Sequence, residues 1–157
     1  MKTISLLFAA GLAAPLAHAH ITLEQSSAPA GAYQKLTFRV GHGCEGSATN
    51  SITVVLPEGV AGARPMPKAG WRIGGAAREI SWNGGPLPDS QYDEFSMQVK
   101  LPETLGSYPF KVIQVCDKGR AEWSELATAA GVKAKFPAPV LEVVAPAGHV
   151  HQHQDAK

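Results

Sequence analysis

The chain has 157 residues, a length typical of one domain, and its 14 basic residues nearly balance its 13 acidic ones. It contains no stripe of basic residues interleaved with aromatic ones, which argues against nucleic acid as a partner. Beyond the N-terminal segment no apolar run approaches the roughly 18 residues that a membrane-spanning helix needs, so we expect no membrane span in the mature protein.

Residues 1–19 have the pattern of a secretory signal peptide. Lys2 supplies a positive charge, residues 4–16 are mostly apolar, and residues 17–19 read Ala-His-Ala, the small-residue spacing that a signal peptidase recognises. Cleavage after residue 19 would leave His20 at the N-terminus of a periplasmic or secreted protein. A terminal amine and the imidazole of the same residue can chelate one metal ion of the copper type. The alternative is that His20 occupies this position by chance.

Short strands separated by turns dominate the pattern of the mature chain, because glycine and proline (16 and 12 in the full chain) recur at short intervals and helical periodicity is weak. Strands are predicted over residues 33–40, 51–56, 70–73, 78–82, 95–101, 108–115, 120–126 and 140–144. Residues 83–85 and 117–119 are predicted as turns, the second closing a hairpin. The pattern indicates an all-β, immunoglobulin/fibronectin-like β-sandwich of about seven to nine strands. We assign it to residues 20–145, followed by a flexible tail over residues 146–157.

Alternation of apolar and polar residues predicts which side chains face the core. The first strand is predicted to direct three apolar residues inward and three polar ones outward: Leu36, Phe38 and Val40 against Lys35, Thr37 and Arg39. Trp82 alternates with Ile80 and is predicted to lie in the core. Trp123 is flanked by charged and small residues, which favours a partly exposed side chain near a site.

Cys44 and Cys116 are expected to form a disulfide, because pairing is the rule for two cysteines in an exported chain. A loop of roughly 70 residues closed in this way adds about 4 kcal/mol to stability in the chain-entropy treatment. A thiolate site for Cu(I) or zinc is the alternative, although neither a CxxC spacing nor a second Cys/His cluster supports it.

Motifs of common enzymes are absent, including G-x-S-x-G, H-E-x-x-H, the P-loop and the Rossmann glycine pattern. Before the tail, the mature chain holds only two histidines, His20 and His42. The tail adds His149, His151 and His153 at alternate positions, which share one side of an extended chain. These three imidazoles form either an auxiliary metal-binding tail or an incidental feature.

Several segments together resemble the YcnI-like copper-binding family of exported bacterial proteins. They read HITLE at residues 20–24, APAGAY at 28–33, HGCEG at 42–46, PMPKAGW at 65–71, ISWNGG at 80–85, LPD at 87–89, YDEF at 92–95 and QVC at 114–116. The resemblance implies a β-sandwich that binds Cu(II) through a mono-histidine brace, the amine and imidazole of His20, with a tryptophan nearby that Trp123 matches best.

The carboxylate ligand that the resemblance implies has two candidates. Glu24 fits the opening motif of the similar proteins, and we choose it, while Glu125, two residues after Trp123, is the alternative. Some family members have Glu where this chain has Gln34, so that position carries no charge here. A straight strand would put the Cα atom of Glu24 about 13 Å from that of His20, at roughly 3.3 Å per residue.

These observations predict an exported Cu(II)-binding protein for copper sequestration, trafficking or homeostasis, not an enzyme. Other periplasmic copper chaperones or transporters are the expected partners. Two alternatives remain open: a copper-dependent oxygenase that uses His42 as a second ligand, and a structural or interaction module in which His20 binds nothing.

Overall fold

A computed structural model describes residues 20–126 and 134–147 of the chain. This part contains strands and no helix. The strands are β1 (Thr22–Leu23), β2 (Ser27–Pro29), β3 (Tyr33–Val40), β4 (Thr49–Val55), β5 (Ala61–Pro65), β6 (Trp71–Ala76), β7 (Glu79–Leu87), β8 (Asp93–Lys100), β9 (Gly106–Pro109), β10 (Lys111–Cys116), β11 (Arg120–Trp123) and β12 (Val140–Val144). The predicted signal peptide and the tail histidines lie outside the described residues.

The strands form an immunoglobulin-like β-sandwich, which confirms the predicted fold class. A four-stranded sheet has the order β1-β3-β8-β5, a five-stranded sheet has the order β11-β10-β4-β7-β6, and a smaller sheet has the order β2-β12-β9. Aromatic side chains fill the space between the larger sheets: the rings of Trp82 on β7 and Phe95 on β8 have centroids 5.7 Å apart in an edge-to-face arrangement.

The predicted alternation holds along most strands, because one face of each sheet packs on the core. Leu36, Phe38 and Val40 are fully buried, as predicted. The prediction for Thr37 is wrong, since it is 1% exposed instead of facing solvent. Its hydroxyl forms a hydrogen bond with Ser96 (3.0 Å) and its backbone N–H donates to the side chain of Gln25 (3.3 Å), so the chain after β1 covers this face.

One of the two predicted turns is wrong. Residues 83–85 lie inside β7, where Asn83 and Gly84 pair with β6, and an irregularity in the β4–β7 register accommodates the glycines. Gly84 has φ 145°, and a Cβ atom there would come within 2.3 Å of the Gly70 carbonyl oxygen, so glycine marks a close approach of two strands and not a turn. The hairpin at residues 117–119 is confirmed, because it joins the antiparallel strands β10 and β11.

The structure has more strands than the eight predicted segments, counted over the described residues. β1, β2 and β5 were not predicted, because strands of two to five residues are too short to show alternation. The segment 108–115 divides into β9 and β10 at Phe110, which is fully buried. Within the predicted segment 120–126, the strand stops at Trp123.

Cys44 and Cys116 form the predicted disulfide, with Cα atoms 5.9 Å apart and a sequence separation of 72. The bond ties the loop after β3 to the end of β10. Within residues 20–126 and 134–147, no helix is long and apolar enough to cross a membrane.

Candidate metal site

Three side chains from separate parts of the chain meet at one end of the sandwich. The imidazole of His20, which precedes β1, lies with its centroid 6.0 Å from the ring of Trp123. The imidazole of His42, which follows β3, lies 6.4 Å from the same ring. The interplanar angles are 64° and 65°, so both imidazoles meet the indole edge-on. Both histidines are half-buried.

Strand pairing explains why the two histidines come together. Thr22 pairs with Arg39 and Leu23 with Phe38 in the antiparallel pair β1–β3. The same register, continued toward the N-terminus, brings His20 level with Gly41, the residue immediately before His42. The second sheet contributes Trp123, which is the last residue of β11.

Trp123 is buried, not partly exposed as the sequence pattern predicted. Only 3% of its surface is accessible, and its ring packs edge-on against Phe136 with centroids 5.2 Å apart. Charged neighbours in the sequence were misleading, because alternation along β11 directs Glu122 to the outer face while Trp123 points inward. The indole N–H donates to the Oε1 atom of Gln114 at 3.1 Å.

Gln114 is the residue of this site that the sequence analysis missed. Its side chain is 1% exposed, and its Nε2 atom donates to the His42 carbonyl oxygen (2.7 Å) and to the Thr49 hydroxyl oxygen (2.8 Å). With the bond accepted from Trp123, both amide hydrogens and the amide oxygen have partners. The available signal was its inward position on β10 between two buried apolar residues, where a polar side chain needs buried partners.

The loop that carries His42 is held from several sides. The Gly43 N–H donates to the Asp89 carboxylate at 3.0 Å, and the neighbouring Cys44 forms the disulfide. A Cβ atom at Gly43 would come within 1.8 Å of the Ser47 carbonyl oxygen, so only glycine fits there. The His42 ring contacts the Gly43 carbonyl oxygen through Nδ1. Beside this loop lies a cavity of about 210 Å³, lined in part by His42, Gln114, Trp123 and Phe136.

Both carboxylates proposed from the sequence have hydrogen-bond partners of their own. Glu24 lies four residues after His20 along the chain, and its backbone N–H donates to the Thr37 carbonyl oxygen. The exposed side chain of Glu24 accepts a hydrogen bond from the Gln25 amide at 3.3 Å. Glu125 is exposed, and its carboxylate accepts from the Lys135 backbone N–H at 2.8 Å.

Two further positions are also engaged elsewhere. Glu122 forms an ion pair with Lys111 at 2.7 Å and contacts Arg120; the hydrogen bond from Lys111 lowers the pKa of this carboxyl. Gln34 lies near the start of β3, at the far end of the strand from His42, and its Nε2 atom donates to the Lys35 carbonyl oxygen.

The donor chemistry around Trp123 fits a metal that prefers nitrogen. Residues 20–126 and 134–147 contain no cluster of three or more His, Cys, Asp or Glu side chains. A histidine at a free N-terminus needs no such cluster, since one residue supplies an amine and an imidazole. The His42 imidazole is the further nitrogen donor beside the same indole.

A larger cavity, of about 410 Å³, lies elsewhere on the sandwich and has different chemistry. It is lined by Lys35, Met66, Lys68, Asp93 and neighbouring residues, with no histidine or cysteine in its lining. Lys68 and Asp93 form an ion pair with a 2.6 Å separation, so the charges in this cavity largely neutralise each other.

Comparison with known proteins identifies the family. A family model described as "Domain of unknown function (DUF1775)" matches residues 20–76 and 72–143. The chain belongs to this family. It is the YcnI-like family that the sequence motifs predicted. No curated protein sequence matches the chain.

A structure with the same architecture is found among solved proteins. An uncharacterized protein from Nocardia farcinica with an immunoglobulin-like fold is 29% identical, with a TM-score of 0.69, and the match covers 79% of this chain and 97% of that one. The seventh ScaB type I cohesin from Pseudobacteroides cellulosolvens is 14% identical, with a TM-score of 0.48 and coverage of 85% and 97%. The Nocardia farcinica protein supports the fold assignment over nearly its whole length.

Proposed function

We propose that this protein is exported, is cleaved after residue 19, and then binds Cu(II) as cargo through the amine and imidazole of His20. The observation that carries the proposal is the position of the His20 imidazole, 6.0 Å from the ring of the buried Trp123. The match to the YcnI-like family begins at residue 20, the residue that this cleavage would make N-terminal.

A single N-terminal histidine can chelate a metal ion, so the proposed site needs no cluster of three His, Cys, Asp or Glu side chains. The amine and imidazole of His20 close a ring around the ion, and this nitrogen donor pair suits the tetragonal preference of Cu(II). Before cleavage the same backbone nitrogen is an amide, which is a poor ligand at neutral pH. The signal peptidase step would therefore also create the binding site, so copper is taken up only after export.

A role in copper sequestration or delivery fits this environment better than catalysis. The Trp123 ring lies 6.0 Å from the His20 ring, edge to face, and is fixed in place by Phe136 and Gln114. A large ring held this close restricts the approach of oxygen and reductant to the metal. Periplasmic copper chaperones or transporters would then supply or receive the ion.

A copper-dependent oxygenase is the second candidate, favoured by the position of His42 beside the same indole. It predicts reductant-driven peroxide formation well above that of free copper. We expect the copper-loaded protein to form peroxide no faster than an equal concentration of free copper.

The test of the binding proposal compares two N-termini. The mature protein beginning at His20 should bind Cu(II) at least a hundredfold more tightly than the same chain with Ala19 retained, as measured by competition with a chromophoric chelator. Both proteins should carry His149→Asn, His151→Asn and His153→Asn, so that tail binding cannot mask the difference. Equal affinity of the two forms would refute chelation by His20.

A further inference from the structure

We propose that His42 binds the same metal ion as His20, through its Nε2 atom, and so gives the site a second imidazole. This inference rests on the proposed copper-binding function and adds a ligand to that site. The resulting donor set is three nitrogens: the His20 amine, the His20 imidazole and the His42 imidazole.

The fold places His42 close to His20. The continued β1–β3 register brings His20 level with Gly41, next to His42 in the chain. The two imidazoles contact the same indole at nearly equal distances, 6.0 Å and 6.4 Å. Because Trp123 is fixed by its own hydrogen bond to Gln114, it provides a rigid surface against which both rings are oriented.

The His42 ring is oriented by a contact of one of its two nitrogens. Its Nδ1 atom contacts the Gly43 carbonyl oxygen, which can only accept a hydrogen bond. In the neutral tautomer with the proton on Nδ1 this contact is a hydrogen bond, and Nε2 then keeps the lone pair that a metal requires. A backbone carbonyl bound to the other ring nitrogen is the usual way in which proteins orient a metal-ligating histidine.

The loop that carries His42 is held at each of its residues 42–44. The His42 carbonyl oxygen accepts a bond from Gln114, the next N–H donates to Asp89, and Cys44 is covalently tied to β10. A loop fixed at three consecutive residues loses little conformational entropy when its side chain binds a ligand.

A donor set made only of nitrogen atoms is consistent with the positions of the two carboxylates proposed from the sequence. Glu24 lies four register positions from His20, and Glu125 is bonded to the Lys135 backbone. His42 thus takes the place in the ligand set that the family resemblance would give to a carboxylate. Imidazole is a good ligand for copper in general, so the second ring would help to hold the ion if it is reduced.

The test counts imidazoles bound to Cu(II) by pulsed EPR, which detects the remote nitrogen of each coordinated ring. The mature chain with its three tail histidines changed to Asn, loaded with one equivalent of Cu(II), should show two imidazoles. His42→Ala and His42→Gln should each show one and should lower the affinity at least tenfold. Glu58→Gln, an exposed carboxylate change in the turn after β4 and outside the cavity beside His42, is the control and should leave both quantities unchanged.

The outcomes separate this inference from the proposed function. One imidazole in the unsubstituted site would overturn the role of His42, even if binding still depends on the free amine of His20. Equal binding by the form with Ala19 retained would instead overturn the proposed function itself. The count in the unsubstituted site needs no variant, so the test remains decisive if a His42 variant fails to fold.

Discussion

Two buried tryptophans, Trp82 and Trp123, differ in their surroundings: one lies in the ordinary core and the other beside the candidate metal site. Trp82 is fully buried, packs edge-to-face on Phe95, and donates its indole N–H to the backbone oxygen of Met66 at 3.1 Å. Trp123 is almost as buried but donates to a side chain, Gln114, and has two imidazoles at its edge.

The difference lies in what each indole holds in place. Around Trp82 the partners are a phenyl ring and the main chain, which any well-packed core supplies. Around Trp123 one amide connects the indole, the loop of His42 and the hydroxyl of Thr49. A buried polar network is stable only when every member is satisfied, so this one specifies the positions of its partners more strictly than apolar packing does.

Removing the disulfide should have the largest effect on stability, because the bond closes a loop of 72 positions beside the site. The Cys44→Ala/Cys116→Ala variant should lose about 4 kcal/mol in denaturant-induced unfolding. Hydrogen exchange should accelerate most in the loop of His42 and in the β10–β11 hairpin, and least around Trp82. Equal acceleration in both regions would contradict a local role for the bond.

Replacing Gln114 with Leu should have the next largest effect. The substitution leaves the Trp123 N–H, the His42 carbonyl and the Thr49 hydroxyl without this partner, at a cost of about 2–3 kcal/mol. Thr49→Val, which removes only one of these contacts, is the smaller matched change. The affinity for Cu(II) should fall in Gln114→Leu, and an unchanged affinity would mean that the network does not position the site.

The most specific comparison exchanges each tryptophan for Phe. Trp82→Phe and Trp123→Phe should each reduce the unfolding free energy by about 1–2 kcal/mol, because both lose volume and an indole hydrogen bond. Only Trp123→Phe should alter the Cu(II) absorption and EPR spectra or the rate of copper release. Equal spectral changes in both variants would show that Trp123 has no special relation to the metal.

The sequence pattern predicted the regular strands correctly. It was wrong where the strand register is irregular or where another segment covers the outer face of a strand. Alternation identified Leu36, Phe38 and Val40, because a half-buried strand has a period of two. It misplaced Thr37, since the segment after β1 covers the outer face of β3 at that point. It also interpreted Gly84 as part of a turn, although the glycine permits a close contact with Gly70.

The site was predicted only in part, for a similar reason. His20 could be recognised from the cleavage pattern, and Trp123 from the family resemblance. Gln114 carries no chemical motif, and its role depends on contacts with residues far away in the sequence. The position of His42 beside His20 follows from the pairing of β1, a strand of two residues that leaves no pattern in the sequence.

The central claim is that copper binds at the N-terminal histidine beside Trp123. A crystal structure of the copper-loaded mature protein, with data collected at the copper absorption edge, tests it most directly. We expect one strong anomalous peak within bonding distance of the amine and imidazole nitrogens of His20, on the side of the Trp123 indole. A peak in the cavity lined by Lys35 and Met66, or none at His20, would contradict it.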